Sequence, residues 1–129
     1  MIQYKGGIDL NWKPDKKRPI CPQLCEHLCV LIATGKIGAG EKLMSVRELA
    51  ISAGVTPNTV QKSFEQLEQK GIIHSIRGSG WYVNEDTQLA AEIMRKLVAD
   101  KTTSYLNDMY GLGLTKENII EMIKEYQNE

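Results

Sequence analysis

Four consecutive residues, Gly54-Val55-Thr56-Pro57, limit what this chain can fold into more than any other stretch. Glycine stops helices because it enters the left-handed region without steric cost. Threonine caps the start of a helix, and proline suits the first helical position, where its missing N–H is no loss. Upstream, Ser45 and Glu48 have the spacing of a capping box, and Val46, Leu49 and Ala50 recur at helical intervals. Downstream, Val60, Phe64 and Leu67 form a narrow apolar stripe, with Asn58, Lys62, Glu65 and Gln69 on the opposite side. The pattern predicts a short helix between Ser45 and Gly54 and a longer one from Pro57 to about Lys70, stopped by Gly71. Two helices joined through so tight a turn make a helix-turn-helix.

The flanks extend this unit. A first helix is expected from near Pro22 to near Gly35, with Leu24, Leu28, Leu31 and Ile32 inward. Gly35, Gly38 and Gly40 make the segment up to Glu41 a turn. Residues 1–18 read as an irregular arm with a cationic run, Lys16-Lys17-Arg18, and a short strand at Ile8–Leu10. After Gly71, the β-branched run Ile72–Ile76 and the segment Trp81–Val83 predict two strands, joined at the tip Arg77-Gly78-Ser79-Gly80. From Thr87 the pattern is helical again, with Ala90, Met94, Leu97, Val98, Tyr105 and Met109 in one apolar stripe. Thr115 caps a last helix, whose Ile119, Ile120, Met122, Ile123 and Tyr126 are expected to face inward. The expected fold is α+β, mainly α: a winged helix-turn-helix domain over residues 19–84, then two C-terminal helices within 85–129.

Charge divides at the same place. The chain is neutral overall, but residues 1–84 hold 11 Lys and Arg against 7 Asp and Glu, while residues 85–129 hold 5 against 9. A net +4 followed by a net −4 suits a chain whose first part alone meets a polyanion, although chance distribution of solvated charge gives the same split. No apolar run approaches the ~20 residues that span a bilayer. The start, Met1-Ile2-Gln3-Tyr4-Lys5, is too polar for a secretion signal, so cytoplasmic residence without membrane association is expected. The sequence shows no nucleophile paired with a base, no phosphate loop and no zinc-ligand spacing, so neither an enzyme nor a cofactor or metal site is expected.

Physical shape then suggests the partner. The major groove of B-form DNA admits one α-helix, so the second helix of the pair can enter it while the first braces against the backbone. Asn58 and Gln61 carry the side-chain amides that pair with adenine, and Lys62 reaches guanine or phosphate. The wing tip at Arg77 and Gly78 can approach a phosphate or the minor groove, since glycine adds no obstruction.

Four linked segments resemble the GntR family of bacterial transcription regulators. They are Ser45-Val46-Arg47-Glu48-Leu49-Ala50, Gly54-Val55-Thr56-Pro57-Asn58-Thr59-Val60, Leu67-Glu68-Gln69-Lys70-Gly71-Ile72-Ile73 and Arg77-Gly78-Ser79-Gly80-Trp81-Tyr82-Val83. The form Pro57-Asn58-Thr59-Val60-Gln61, with only two short helices after the wing, is similar to the YtrA-type subfamily. The resemblance implies that Arg47 contacts DNA. It places Thr56, Asn58 and Thr59 at turn and recognition positions, continued by Gln61 and Lys62, and puts Arg77 and Gly78 at the wing tip. It also implies a repressor acting on double-stranded DNA, often at transporter operons; no small-molecule effector is indicated. Pro57 stands where many other subfamilies have an arginine, so one common base contact is missing. Arg47 has an alternative reading as the structural partner of a nearby acid.

The stripe after the wing needs a covering surface, either the winged domain or a second copy. Operators for dimeric readers mirror the protein's two-fold axis, so Met94, Leu97, Val98, Tyr105 and Met109 are expected to form a homodimer contact. Cys21, Cys25 and Cys29 fall at i, i+4, i+8 along the first helix, with Cys21 at its expected cap. Two readings stay open. They pack beside Leu24, Leu28 and Ile32 as small hydrophobes, or they act as a thiol or soft-metal sensor. His27 lies on another side of that helix, and His74 reads as a packing or surface residue. A winged helix serving as a protein-interaction module is the remaining alternative to DNA binding.

Overall fold

Both capping sites around the turn form in the computed structural model, which describes residues 12–127. Helix α2 is Val46–Ala53 and helix α3 is Pro57–Gln69, following α1 at Ile20–Ala33. Ser45 Oγ accepts from the Glu48 amide at 3.1 Å, and Glu48 Oε1 accepts from the Ser45 amide at 3.4 Å. Gly54 closes α2 at φ +70°, and Thr56 Oγ1 accepts from the Thr59 amide at 3.3 Å to open α3. Strands β1 (Ile73–Ile76) and β2 (Gly80–Val83) form an antiparallel hairpin with Ile73 opposite Val83 and Ile76 opposite Gly80. Helices α4 (Gln88–Gly111) and α5 (Lys116–Glu125) complete the order, α5 capped by Thr115 with Asn118. The winged helix-turn-helix followed by two helices is therefore present.

Two details depart from expectation. Helix α1 begins at Ile20, ahead of Pro22, because Gln23 folds back over its start. The Gln23 Nε2 donates to the carbonyls of Asp15 (2.8 Å) and Pro19 (3.0 Å), while Oε1 accepts from the Asp15 amide at 2.8 Å. The glycine-rich turn runs on into an added edge on the wing: Leu43 N donates to Trp81 O at 2.8 Å, Val83 N donates to Glu41 O at 2.9 Å, and Lys42 bridges Tyr82. The expected strand at Ile8–Leu10 lies outside the described residues.

Apolar burial holds these pieces. Leu24 and Leu28 of α1, Leu49 of α2, and Val60, Phe64 and Leu67 of α3 are all essentially inaccessible to water, together with Ile73 and Val83 of the wing. Phe64 meets Trp81 edge-on with ring centroids 5.4 Å apart, which joins α3 to β2.

The chain divides into two compact units between Met94 and Arg95, inside α4. The first runs on because Ala90 is buried in the winged core and Ile93 packs against it. In the second unit Ile119 is buried, but Ile120, Met122, Ile123 and Tyr126 are exposed rather than inward. The helical period places them on an apolar face correctly, but two consecutive helices form too small a unit to cover it.

Candidate nucleic-acid interface

Helix α3 has an apolar inner side and a polar outer side. Its apolar stripe is spent on α1 and α2, with which it packs, while Asn58, Lys62, Glu65 and Gln69 are exposed. Gln61 is half-buried, and its amide donates to Glu65 Oε2 at 3.3 Å along the helix surface. The hydroxyls of Thr56 and Thr59 are 2.9 Å apart and hydrogen bonded, so these two residues shape the entrance to α3 as well as lining it.

Arg47 is the second residue of α2 and exposed. The ion pairs among the described residues are Arg18–Asp15 at 3.1 Å and Lys96–Asp100 at 4.0 Å. Arg47 belongs to neither, which removes the structural salt-bridge reading and leaves its guanidinium directed at solvent.

The wing tip is open. Ser79 N donates to Ile76 O at 2.9 Å, closing a turn whose third residue, Gly78, has φ +79°. Such a positive φ at that position is what calls for glycine. No atom lies within 4 Å of where a Cβ on Gly78 would sit, and Arg77 beside it is exposed. Glu68 Oε2 accepts from both the amide and the hydroxyl of Ser75 at 3.2 Å, so the wing is tied to the far end of α3. His74 takes the packing role expected of it, hydrogen bonded to Asn84 Oδ1 and stacked on Tyr82.

Lys42 joins this surface without having been picked out from sequence. It is exposed on the added edge, and its Cε lies 3.1 Å from where a Cβ on Gly80 would sit. The only sequence signal was a lysine two residues after a glycine turn, since its pairing with Tyr82 crosses about forty positions of chain.

Cys25 and Cys29 belong to the core, and Cys21 is half-buried at its edge. Cys21 is the second residue of α1, not its cap, and its Sγ lies 3.0 Å from Ser63 Oγ on α3. Cys25 Sγ donates to Ser63 O at 3.6 Å and Gln66 Oε1 at 3.7 Å. Burial pushes the Cys25 thiol up to about 12, reinforced by Cys21 beside it, and burial pushes Cys29 up to about 11. Both stay protonated at neutral pH, whereas sensing chemistry requires the thiolate. No group of three or more His, Cys, Asp or Glu among the described residues is arranged to hold a metal ion. At pH 8, iodoacetamide should therefore leave Cys25 and Cys29 of the folded protein unmodified and label them after unfolding in urea. Equal labelling rates in the two states would contradict the packing role.

Of the expected dimer contacts, Met94, Leu97 and Met109 are half-buried, while Val98 and Tyr105 are 55% and 43% exposed. Met94 lies in the first compact unit and the other four in the second. Among the described residues, no helix is long and apolar enough to cross a membrane.

Comparison with known proteins agrees with this geometry. The family profile described as "Bacterial regulatory proteins, gntR family" matches residues 22–83. The uncharacterized HTH-type transcriptional regulator YhcF of Bacillus subtilis is 34% identical over 109 residues, covering 84% of this chain and 90% of that protein. The HTH-type transcriptional repressor YtrA of the same organism is 34% identical over 113 residues, covering 87% of each chain. Among solved structures, a GntR family transcriptional regulator from Listeria monocytogenes superposes with a TM-score of 0.79 at 35% identity, over 88% of this chain and all of that one.

Proposed function

The chain belongs to the GntR family of bacterial DNA-binding transcriptional regulators, not to an enzyme family, and from that premise we propose that it is a repressor that binds a pseudo-palindromic operator as a homodimer. The observation that carries the DNA-reading surface is the polar side of α3, with Asn58 and Lys62 exposed near its start, together with an unpaired Arg47 and the open tip at Arg77 and Gly78. In this reading Asn58, Gln61 and Lys62 meet base edges, Thr56 and Thr59 position the entrance of α3, and Arg47, Arg77 and the Gly78 backbone hold phosphates. Lys42 adds a cation on the edge beside the wing.

Repression is supported by the likeness to YtrA, which carries that description. Control of a transporter operon follows from the YtrA-type resemblance. Reading genomic DNA puts the protein's work in the cytoplasm. The homodimer is supported by the second unit, where the large apolar side chains Val98, Tyr105, Tyr110, Ile120 and Ile123 are left in water. Soluble chains rarely tolerate such exposure without a partner, and a second copy supplies the symmetric one that a palindromic site needs.

Selection of bound fragments from sheared genomic DNA tests this directly and should return sites with dyad symmetry. On such a site Asn58→Ala should cost about 1–3 kcal/mol and relax preference at particular bases, whereas Arg47→Ala should weaken binding to all duplexes alike. If both variants bind the selected site as tightly as the parent, the assigned surface is wrong.

A further inference from the structure

The cationic run before α1 has no part in the surface described so far, yet the fold anchors it beside that surface. Pro14 is buried, and Trp12 stacks on His27 with ring centroids 4.9 Å apart and planes 11° from parallel. Gln23 grips the backbone at Asp15 and Pro19, and Asp15 accepts from the Lys17 amide at 3.0 Å. A segment held at so many points presents its side chains from a fixed base, which lowers the entropy lost on binding.

The four cations of this segment are not equivalent. Lys13 Nζ donates to the carbonyl of Ser52 at 2.6 Å, serving the C-terminal end of α2. Arg18 pairs with Asp15. Lys17 is exposed, and its backbone amide is the part that Asp15 holds. Lys16 is also exposed, and its ammonium lies 3.3 Å from where a Cβ on Gly54 would sit. Gly54 is the left-handed residue of the turn, two positions before the cap of α3. Lys16 makes no hydrogen bond or ion pair with a described residue, while Lys13 takes the Ser52 carbonyl at the end of α2.

We propose that the segment before α1 is a third DNA-contacting element, in which Lys16 takes a backbone phosphate beside the turn that leads into α3. The wing would hold the duplex at one side of the recognition helix and Lys16 at the other. The contact carries charge but no base information, so it adds affinity without altering sequence preference. It rests on the DNA-binding surface above and extends its footprint.

The test is the salt dependence of operator binding by the full chain, measured by fluorescence anisotropy. Each phosphate contact contributes about 0.9 to the slope of log K against log salt. Lys16→Gln should therefore make the slope shallower by about 1.8 for a dimer changed in both protomers. Between 50 and 200 mM salt the parent should lose about 12-fold more affinity than the variant. Relative affinities for base-substituted operators should be unchanged, and Lys16→Arg should restore the parental slope. A cation serving only the end of α2 would shift the unfolding midpoint on Lys16→Gln and leave the slope alone, which overturns the proposal. If Lys16→Gln keeps the parental slope while Arg47→Ala loses affinity, only this inference fails. If the parent itself retains no duplex at low salt, the DNA-binding surface fails with it.

Discussion

Phe64→Ala should lower the free energy of unfolding by about 3–5 kcal/mol, a large part of the 5–15 typical of a small domain. Phe64 is 1% exposed and is among the largest fully buried side chains of the chain. It lies on α3 in the stripe between Val60 and Leu67, and its ring meets Trp81 of β2 edge-on. Truncation removes the apolar area, the aromatic pair and the filler between recognition helix and wing in one step. Such a site collapses poorly, because α3 is also fixed from the other side by α1 and α2. Urea unfolding followed by tryptophan fluorescence measures the loss, with a midpoint shifted down and the slope preserved. A loss under about 1 kcal/mol would mean that α3 and the wing are joined by something other than this contact.

The pair Val98→Asp and Tyr105→Asp should leave each chain folded, yield a monomer on sedimentation, and weaken binding to a full palindrome by at least about 100-fold. Both side chains are exposed in the single chain, so a carboxylate at either costs little there. They are seven residues apart, within about 20° of each other around α4, so both mark one face. At a paired surface the same carboxylates would lose their water and face one another, which is strongly unfavourable. A monomer keeps its contacts to one half-site but loses the linkage between two, and that linkage is the source of the large effect. Binding to an isolated half-site should change little. A doubly substituted protein that still sediments as a dimer would place the homodimer contact elsewhere.

The two outcomes test different parts of the proposal, since one concerns the frame of the reader and the other the assembly that aligns two readers. How far each was legible beforehand depends on the range of the interactions. The ends of α2 and α3 were plain because Ser45 with Glu48, Gly54, and Thr56 with Pro57 act on neighbours one to four residues away. So was the hairpin tip, where a glycine supplies the positive φ. The start of α1 was missed, since Gln23 sets it by reaching back to Asp15. Lys42 was missed because its pairing partner, Tyr82, is distant along the chain.

The cysteines show why period alone could not decide. Spacing at i, i+4, i+8 aligns thiols equally well for a metal or for a core. Cys25 is buried where its thiol meets Ser63 and Gln66 of α3, and that burial, which the spacing does not encode, raises its pKa out of the reactive range. The apolar residues of α5 carry the opposite lesson, since their period was right while their burial in one chain was not.

Local chemistry by itself determined where helices begin, turn and stop, and which side of α3 is polar, because caps, glycines and the helical repeat act within a few residues. Tertiary structure alone decided which of those surfaces are covered, that Arg47 stays unpaired, and that Lys16 arrives beside Gly54. Those facts depend on segments far apart in sequence meeting in space, and no short-range pattern encodes such a meeting.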